Sequence, residues 1–462
     1  MFGAGIRTDA KSSHIIIEGV TGRYLSHSWS RDLSRIAGVL VSGSNVDVLN
    51  CDFGFSSSSV LSVSGRDHRI INCRLHHGGY AGLWRGTVAL AGRRILFSHN
   101  TVRHAGRDLI NTHGLMESLV QFNDVSEAGW LTSDLGMFYG HNTDFANTRF
   151  HHNLVHDNHA AHCSMGIYFD HLSHNAIVDY NVVWNVGRDP IRFNNPSYCN
   201  LVFNNSCWRS GEVGTFDHSK RNDLFASRYT RNIFNRPAKL PAHVVIKGNL
   251  IDASPPFRDP GGGDFRLREG AATNAGACPD GRRWRAGCDL DHPPEPLPVY
   301  RAPRVPWMNA VKNACFEFGT LEGWTETSPG HAALTPGNGW GNTVSSGAAE
   351  KRNRPTGTSK HELRLGPRGG VSQQITGLIP ATTYTLSAWL RVSAPEESVV
   401  LGVRGHGMPE RSTASAATEW ERRSIEFTTG RNSKSAEIFL ARPPAAAGQA
   451  WCDNLTLPLA SS

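Results

Sequence analysis

No run in this 462-residue sequence approaches the roughly 18 apolar residues that a membrane-spanning helix needs, so a membrane partner is not expected. Lys and Arg form no block and no basic helical face. The net charge of +7 is therefore spread thinly, and nucleic acid is not an expected partner either. There is no CxxC pair and no HExxH, which removes the common zinc signatures. Helical periodicity is also missing over any ten-residue stretch of the first half. The opening MFGAGIRTDAKSSHIIIEG lacks the basic and apolar regions of a signal peptide. It reads like the middle of a repeat, so a preceding segment is expected.

What the sequence has instead is a recurring phrase: apolar residues, one or two polar ones, Asn, then more apolar residues. It occurs at Asn50, Asn72, Asn100, Asn123, Asn153, Asn181 and Asn205, with gaps of 22, 28, 23, 30, 28 and 24 residues. Units of that size cannot bury an apolar face alone and must stack on their neighbours. Alternating Val, Ile, Leu and Phe make each unit strand-like. Coils stacked about 4.8 Å apart as parallel strands would align the Asn side chains in a hydrogen-bonded ladder. The fold class predicted is all-β: a parallel β-helix over residues 1–277, a Pro-rich linker over 278–311 and a β-sandwich over 312–462.

Four strands align by hand: RDLINTH (107–113), DLGMFYG (134–140), SMGIYFD (164–170) and RDPIRFN (188–194). Ile110, Met137, Ile167 and Ile191 then share an inward column. Period-two alternation turns Asn111, Phe138, Tyr168 and Arg192 outward, followed by His113, Gly140, Asp170 and Asn194. Asp134 lies six positions before Asp170, about 20 Å along the strand direction. Glycosidase carboxyl pairs stand about 5–9.5 Å apart, so these two cannot flank one bond. Arg107 and Arg188 share the column of Asp134, which leaves a salt bridge and catalysis both open for that residue.

Asp170 is the favoured catalytic carboxylate, with Asp144 as its partner from the loop GHNTDFAN and Asp134 as the alternative. His113, His141, Tyr168, Arg192 and Asn194 are the expected substrate contacts. A carboxylate near another carboxylate or an imidazole has its pKa moved toward a working pH. Exposed turn aspartates are also common in β-helices, so a purely structural Asp144 competes with the catalytic one. Eleven of the 22 histidines, from His99 to His174, cluster in this region. Many fall in SHN and FHHN phrases, where imidazole stacking explains them, and no catalytic cofactor is expected.

From Asn313 the texture becomes strands separated by turns. Trp324, Trp340, Trp389, Trp420 and Trp451 are available to stack on sugars, at least two of them being needed as core. Nine cysteines allow Cys278–Cys288 and Cys315–Cys452 disulfides, which would indicate an oxidising compartment. Cys51 and Cys73, each following a repeat Asn, read as stacked core residues.

The phrases NLVHDN, GIYFDH, NVVWNVG and NPSYCNLVFNN resemble right-handed parallel β-helix repeat proteins of the pectate-lyase-like superfamily, rich in glycoside hydrolases and polysaccharide lyases. FRDPGGGDFRLREGAATNAGA (257–277) resembles the closing segment of such proteins, whose last strand covers the open end. NACFEFGTLEGW, GLIPATTYTLSAWLRV and WCDNLTL resemble jelly-roll carbohydrate-binding modules. That resemblance implies a structural Ca²⁺ at Glu317 and Asp453, against a plain reading of two solvated carboxylates. Together these imply a secreted or periplasmic monomer that degrades a polysaccharide. Hydrolysis is the first expectation and β-elimination of a uronate polymer, with Arg192 and Tyr168 or His113, the second. A non-catalytic glycan binder is the third.

Overall fold

The computed structural model describes residues 4–27, 36–81, 84–160, 162–194, 197–209, 224–237, 240–242, 244–271, 275–278, 284–337 and 360–459. The chain divides into two compact units, Met1–Pro303 and Arg304–Ser462.

The first unit is a parallel β-solenoid with three sheets. One has eight strands, from Ile6–Arg7 to Ile191–Phe193, and two have ten, ending at Val245–Lys247 and Leu250–Ile251. No α-helix occurs among the described residues. Register stacks like on like. Val39, Leu61, Val88, Ile110, Phe138, Ile167 and Ile191 form one interior column. Val48, Ile70, Phe97, Val120, Phe150, Val178 and Val202 form another. All are fully buried. Each contributes about 1.5–3 kcal/mol, so the apolar columns carry the fold.

The Asn ladder is present, with one shift. Asn100, Asn123, Asn153, Asn181, Asn205, Asn232 and Asn249 are joined by amide bonds of 2.9–3.1 Å. The residue before each is a left-handed corner, as at His99 (φ 57°), Phe122 (54°) and His152 (55°). Asn50 and Asn72 sit at that corner themselves, with φ of 53° and 57°. Asn tolerates the left-handed region, so a corner Asn imitated a ladder Asn in sequence. Cys51 and Cys73 hold the ladder position in those coils. Accordingly Cys73 N donates to Asn100 Oδ1 at 2.9 Å, as Asn100 N does to Asn123.

Three further expectations are corrected. Residues 284–303 of the expected linker are not a free spacer: they strap back along the solenoid. Asp289 N donates to Asn72 Oδ1 at 2.8 Å, Cys288 N to Thr101 Oγ1 at 2.9 Å, and Tyr300 Oη to Glu117 O. Leu297 and Tyr300 pack on Leu49, Ile71, Leu96 and Leu119. The hairpin of Phe257–Asp259 and Asp264–Leu267 lies on the outer face of the third sheet, not across the end. Phe257 and Phe265 pack there with Val182 and Ile233. Finally, none of the nine cysteines forms a disulfide, which withdraws that argument for an oxidising compartment.

The second unit has two five-stranded antiparallel sheets around one core. Trp324 is buried in it, Trp420 is buried beside Arg391 rather than in that cluster, Trp389 and Trp451 are half-buried, and Trp340 lies outside the described residues. Arg391 stacks over Trp420 and Trp451 at 5.0 and 4.0 Å.

Candidate active site

The outward face of the eight-stranded sheet carries the site, but its register differs from simple alternation. Met137 and Phe138 are both fully buried in the core. Two successive inward residues advance the next outward position by one. Phe138 therefore pairs with Ile110 and Ile167, and Tyr139 pairs with Asn111 and Tyr168. The true outward column is Asn111, Tyr139, Tyr168 and Arg192. Gly140 pairs with inward Phe169, so the bare glycine gap expected beside Asp170 does not exist. His141 stands there instead. Gly136 makes the kink possible, since a Cβ would lie 2.4 Å from Phe138 O and 2.6 Å from Tyr168 Cβ.

Asp170 follows the strand Ser164–Phe169 and is held on every side. Tyr139 Oη donates to its Oδ2 at 2.9 Å; Asn194 Nδ2 at 2.6 Å and His171 N at 2.8 Å donate to Oδ1. His171 Nδ1 lies 2.9 Å from the same oxygen. Burial alone would raise this carboxyl, but the His171 and Asn194 bonds and the His171 charge outweigh it and hold it well below the usual range. Asp170 is thus an anion at any ordinary pH. Tyr139 and Tyr168 are pushed far up by burial and by that anion, so both remain protonated donors. Asn194 Nδ2 also reaches Tyr168 Oη at 3.0 Å.

His113 and His141 line the approach, their ring centroids 6.2 Å apart. His113 touches solvent, yet the protein massed around it disfavours the imidazolium. Desolvation, then His141, Arg85 and Arg107, pull its pKa to about 4. Beside it opens a cleft of about 330 Å³, whose polar lining includes Arg7, Ser42, Ser64, Arg85, Asn111 and His113.

The other carboxylates expected here are used elsewhere. Asp144 is buried in a turn, accepting from Ala146 N at 2.9 Å and Asn175 Nδ2 at 2.8 Å. Asp134 is exposed at a left-handed corner (φ 58°). Arg107 takes the main-chain carbonyl of Asp134 and gives its side-chain pairing to Asp108. Arg192 is buried against Asp189, with its guanidinium 5.8 Å from the Tyr168 ring centre.

One curated relative is a glycosidase. The chain is 30% identical over 140 residues to the keratan-sulfate endo-1,4-β-galactosidase of Sphingobacterium multivorum. That match covers 30% of this chain and 29% of the relative, so the chain spans under a third of its length. No protein-family model matches. Among solved structures, TmCBM61 in complex with β-1,4-galactotriose is 18% identical with TM-score 0.25, covering 32% of this chain and 97% of that one. A family 16 carbohydrate-binding module is 22% identical with TM-score 0.25, covering 32% and 99%. The active domain of bacteriophage CBA120 tailspike protein 4 is 12% identical with TM-score 0.27, covering 92% and 55%.

Sequence reasoning missed Tyr139, Asp108, Asp189 and His171. Asp108 is fully buried and accepts from Arg107 at 2.7 Å, Asn111 at 2.9 Å and Gly136 N at 3.3 Å. Burial pushes its carboxyl up to about 6. It is a positioning residue for Asn111, as Asp189 is for Arg192 three residues later. The signal was the repeated phrase GRDLIN (106–111) and GRDPIR (187–192).

Histidines surrounded by protein make stability acid-sensitive. Desolvation lowers His76, His99 and His113 from 6.5 to about 4. The unfolded chain therefore takes up those protons first, and stability is lost as pH falls from 6.5 to 4. Asp108, raised from 3.8 to about 6, opposes this with one proton against three. The melting temperature should fall steadily across that interval in a thermal-shift series. A flat or rising midpoint would contradict the assignment.

Proposed function

We propose that this chain is a glycan-degrading enzyme, a glycoside hydrolase that holds a linear polysaccharide along the outward face of the eight-stranded sheet. The observation that carries the proposal is the clamped anion of Asp170 on the same outward face whose Asn111 and His113, two coils away, line an open cleft. Its permanent charge suits a nucleophile or a stabiliser of developing positive charge at the sugar ring, not a proton donor. The protonated phenols of Tyr139 and Tyr168 and the amides of Asn111 and Asn194 would orient sugar hydroxyls. The relative's action on keratan sulfate agrees with Arg7 and Arg85 in the cleft, two cations suited to an acidic sugar. The same reading makes the second unit a glycan-binding module. It keeps Ca²⁺ at Glu317 and the fully buried Asp453 as part of the proposal.

A specific observation favours β-elimination as a second reading. In the two outward columns Asp170 is the single carboxylate, while His113 is neutral at pH 7 and so able to accept a proton. Digestion of keratan sulfate, neutral galactan and uronate polymers separates the two. New reducing ends without the ultraviolet absorbance of an unsaturated sugar mean hydrolysis. Both signals rising together mean elimination, and neither on any polymer would end the enzymatic proposal.

A further inference from the structure

A cluster of metal-ligating side chains lies on the same groove face. One ligand-capable atom each of His141, Asp170 and His171 lies within 4.8 Å of the other two, and all three residues are half-buried. We propose that these three side chains form a binding site for a divalent transition-metal ion. The proposal rests on reading this face as the substrate face and adds a cation to it.

Two imidazoles and one carboxylate suit Zn²⁺, Co²⁺, Mn²⁺ or Fe²⁺, whereas Ca²⁺ wants six or more oxygens. Ligand atoms on a tetrahedral Zn²⁺ stand about 3.4 Å apart. The 2.9 Å between His171 Nδ1 and Asp170 Oδ1 is close to such an edge, and the His141 ligand atom lies within 4.8 Å of both.

The surroundings supply a supporting shell. Tyr139 Oη donates to Asp170 Oδ2, which fixes the carboxylate plane. Asn194 is 3% exposed, and its Oδ1 has no hydrogen-bond partner among the described residues while its Nδ2 faces Asp170. Turning that carboxamide over would set oxygen beside carboxylate. This arrangement is repulsive when empty and favourable once a cation lies between them. Tyr168 Oη, now accepting from Asn194, would then donate to it. Half-burial leaves coordination positions open to water or to vicinal sugar hydroxyls, so the ion would tie the glycan to Asp170.

The test titrates the full chain, stripped with a chelator, with Zn²⁺ by calorimetry and with Co²⁺ by visible absorption. The expected result is one tight equivalent with a tetrahedral or five-coordinate cobalt spectrum. H141A and H171A should each weaken binding at least tenfold. H99A, at a corner of another sheet, should not change it. Absence of a stoichiometric site, or equal binding in both variants, overturns the proposal. Binding is read without turnover: a chain that takes up the ion but cleaves no glycan keeps the metal site and loses the hydrolase reading.

Discussion

Replacing Asp170 by Asn should lower the rate of glycan cleavage by about 10³- to 10⁴-fold, the loss typical of a charged catalytic group that touches the reacting centre. The substitution keeps shape and one acceptor oxygen, which the His171 amide and Asn194 retain, while the Tyr139 hydroxyl can turn to accept from the new amide NH₂. It removes the negative charge, which is the property every neighbour of this side chain has been arranged to preserve. Folding should survive. The loss of charge-assisted hydrogen bonds costs about 1–3 kcal/mol, visible as a small shift in the urea midpoint. Reducing-end release measures the rate, and glycan affinity by calorimetry separates catalysis from binding. A hydrolase variant binds the polymer and leaves it intact. Activity within tenfold of the parent chain would remove Asp170 from the mechanism. Lost affinity with no parent turnover would favour a pure binding protein.

The repeat made the solenoid legible because two independent periodicities coincide in it, apolar alternation within a coil and Asn once per coil. The ladder's first two rungs misled for a physical reason. Asn serves both as a rung and as a left-handed corner, and only backbone φ tells Asn72 from Asn100. The groove face was one residue out at Met137 because alternation presumes a regular strand. Phe138 also turns inward there, and Gly136 permits the kink. That single step hid Tyr139, the donor to Asp170, and put Gly140 where His141 belongs. The neighbouring outward positions of Tyr168 and Arg192, and of Asp170 and Asn194, were legible because their coils are regular. Asp144 was misplaced because a longer loop was read as reaching into the groove, whereas its carboxylate caps a buried turn.

The strap formed by residues 284–303 was the least legible element. Proline density signals stiffness and an inability to pair centrally in a sheet. It does not distinguish a spacer in water from a segment lying on protein. The difference is made by a few anchors, Asp289 on Asn72 and Tyr300 on Glu117, with Leu297 filling an apolar seam. Such anchors carry no local pattern, since their partners stand some 200 positions away in the sequence, as for Asp289 at 217.

Asn153→Ala should destabilise the first unit by about 3–5 kcal/mol, the range of changes that leave several buried polar groups unpaired. Asn153 is fully buried. Its Oδ1 accepts from Asn123 N at 3.1 Å and Asn123 Nδ2 at 2.9 Å, and its Nδ2 donates to Val120 O at 3.0 Å and Asn181 Oδ1 at 2.9 Å. Alanine deletes all four bonds at a fully buried site. The same change at Asn249 should cost only about 1–2 kcal/mol. That residue ends the ladder, is half-buried, and holds Asn232 on one side and Tyr229 O on the other. Urea unfolding of both variants gives the comparison. A large loss at the middle rung with a small one at the end would show that the ladder is a continuous buried chain. Equal losses below about 1 kcal/mol would mean that the apolar columns hold the coils in register by themselves. The ladder would then be a consequence of the stacking, as the cysteines that take its place in the first coils suggest it is at that end.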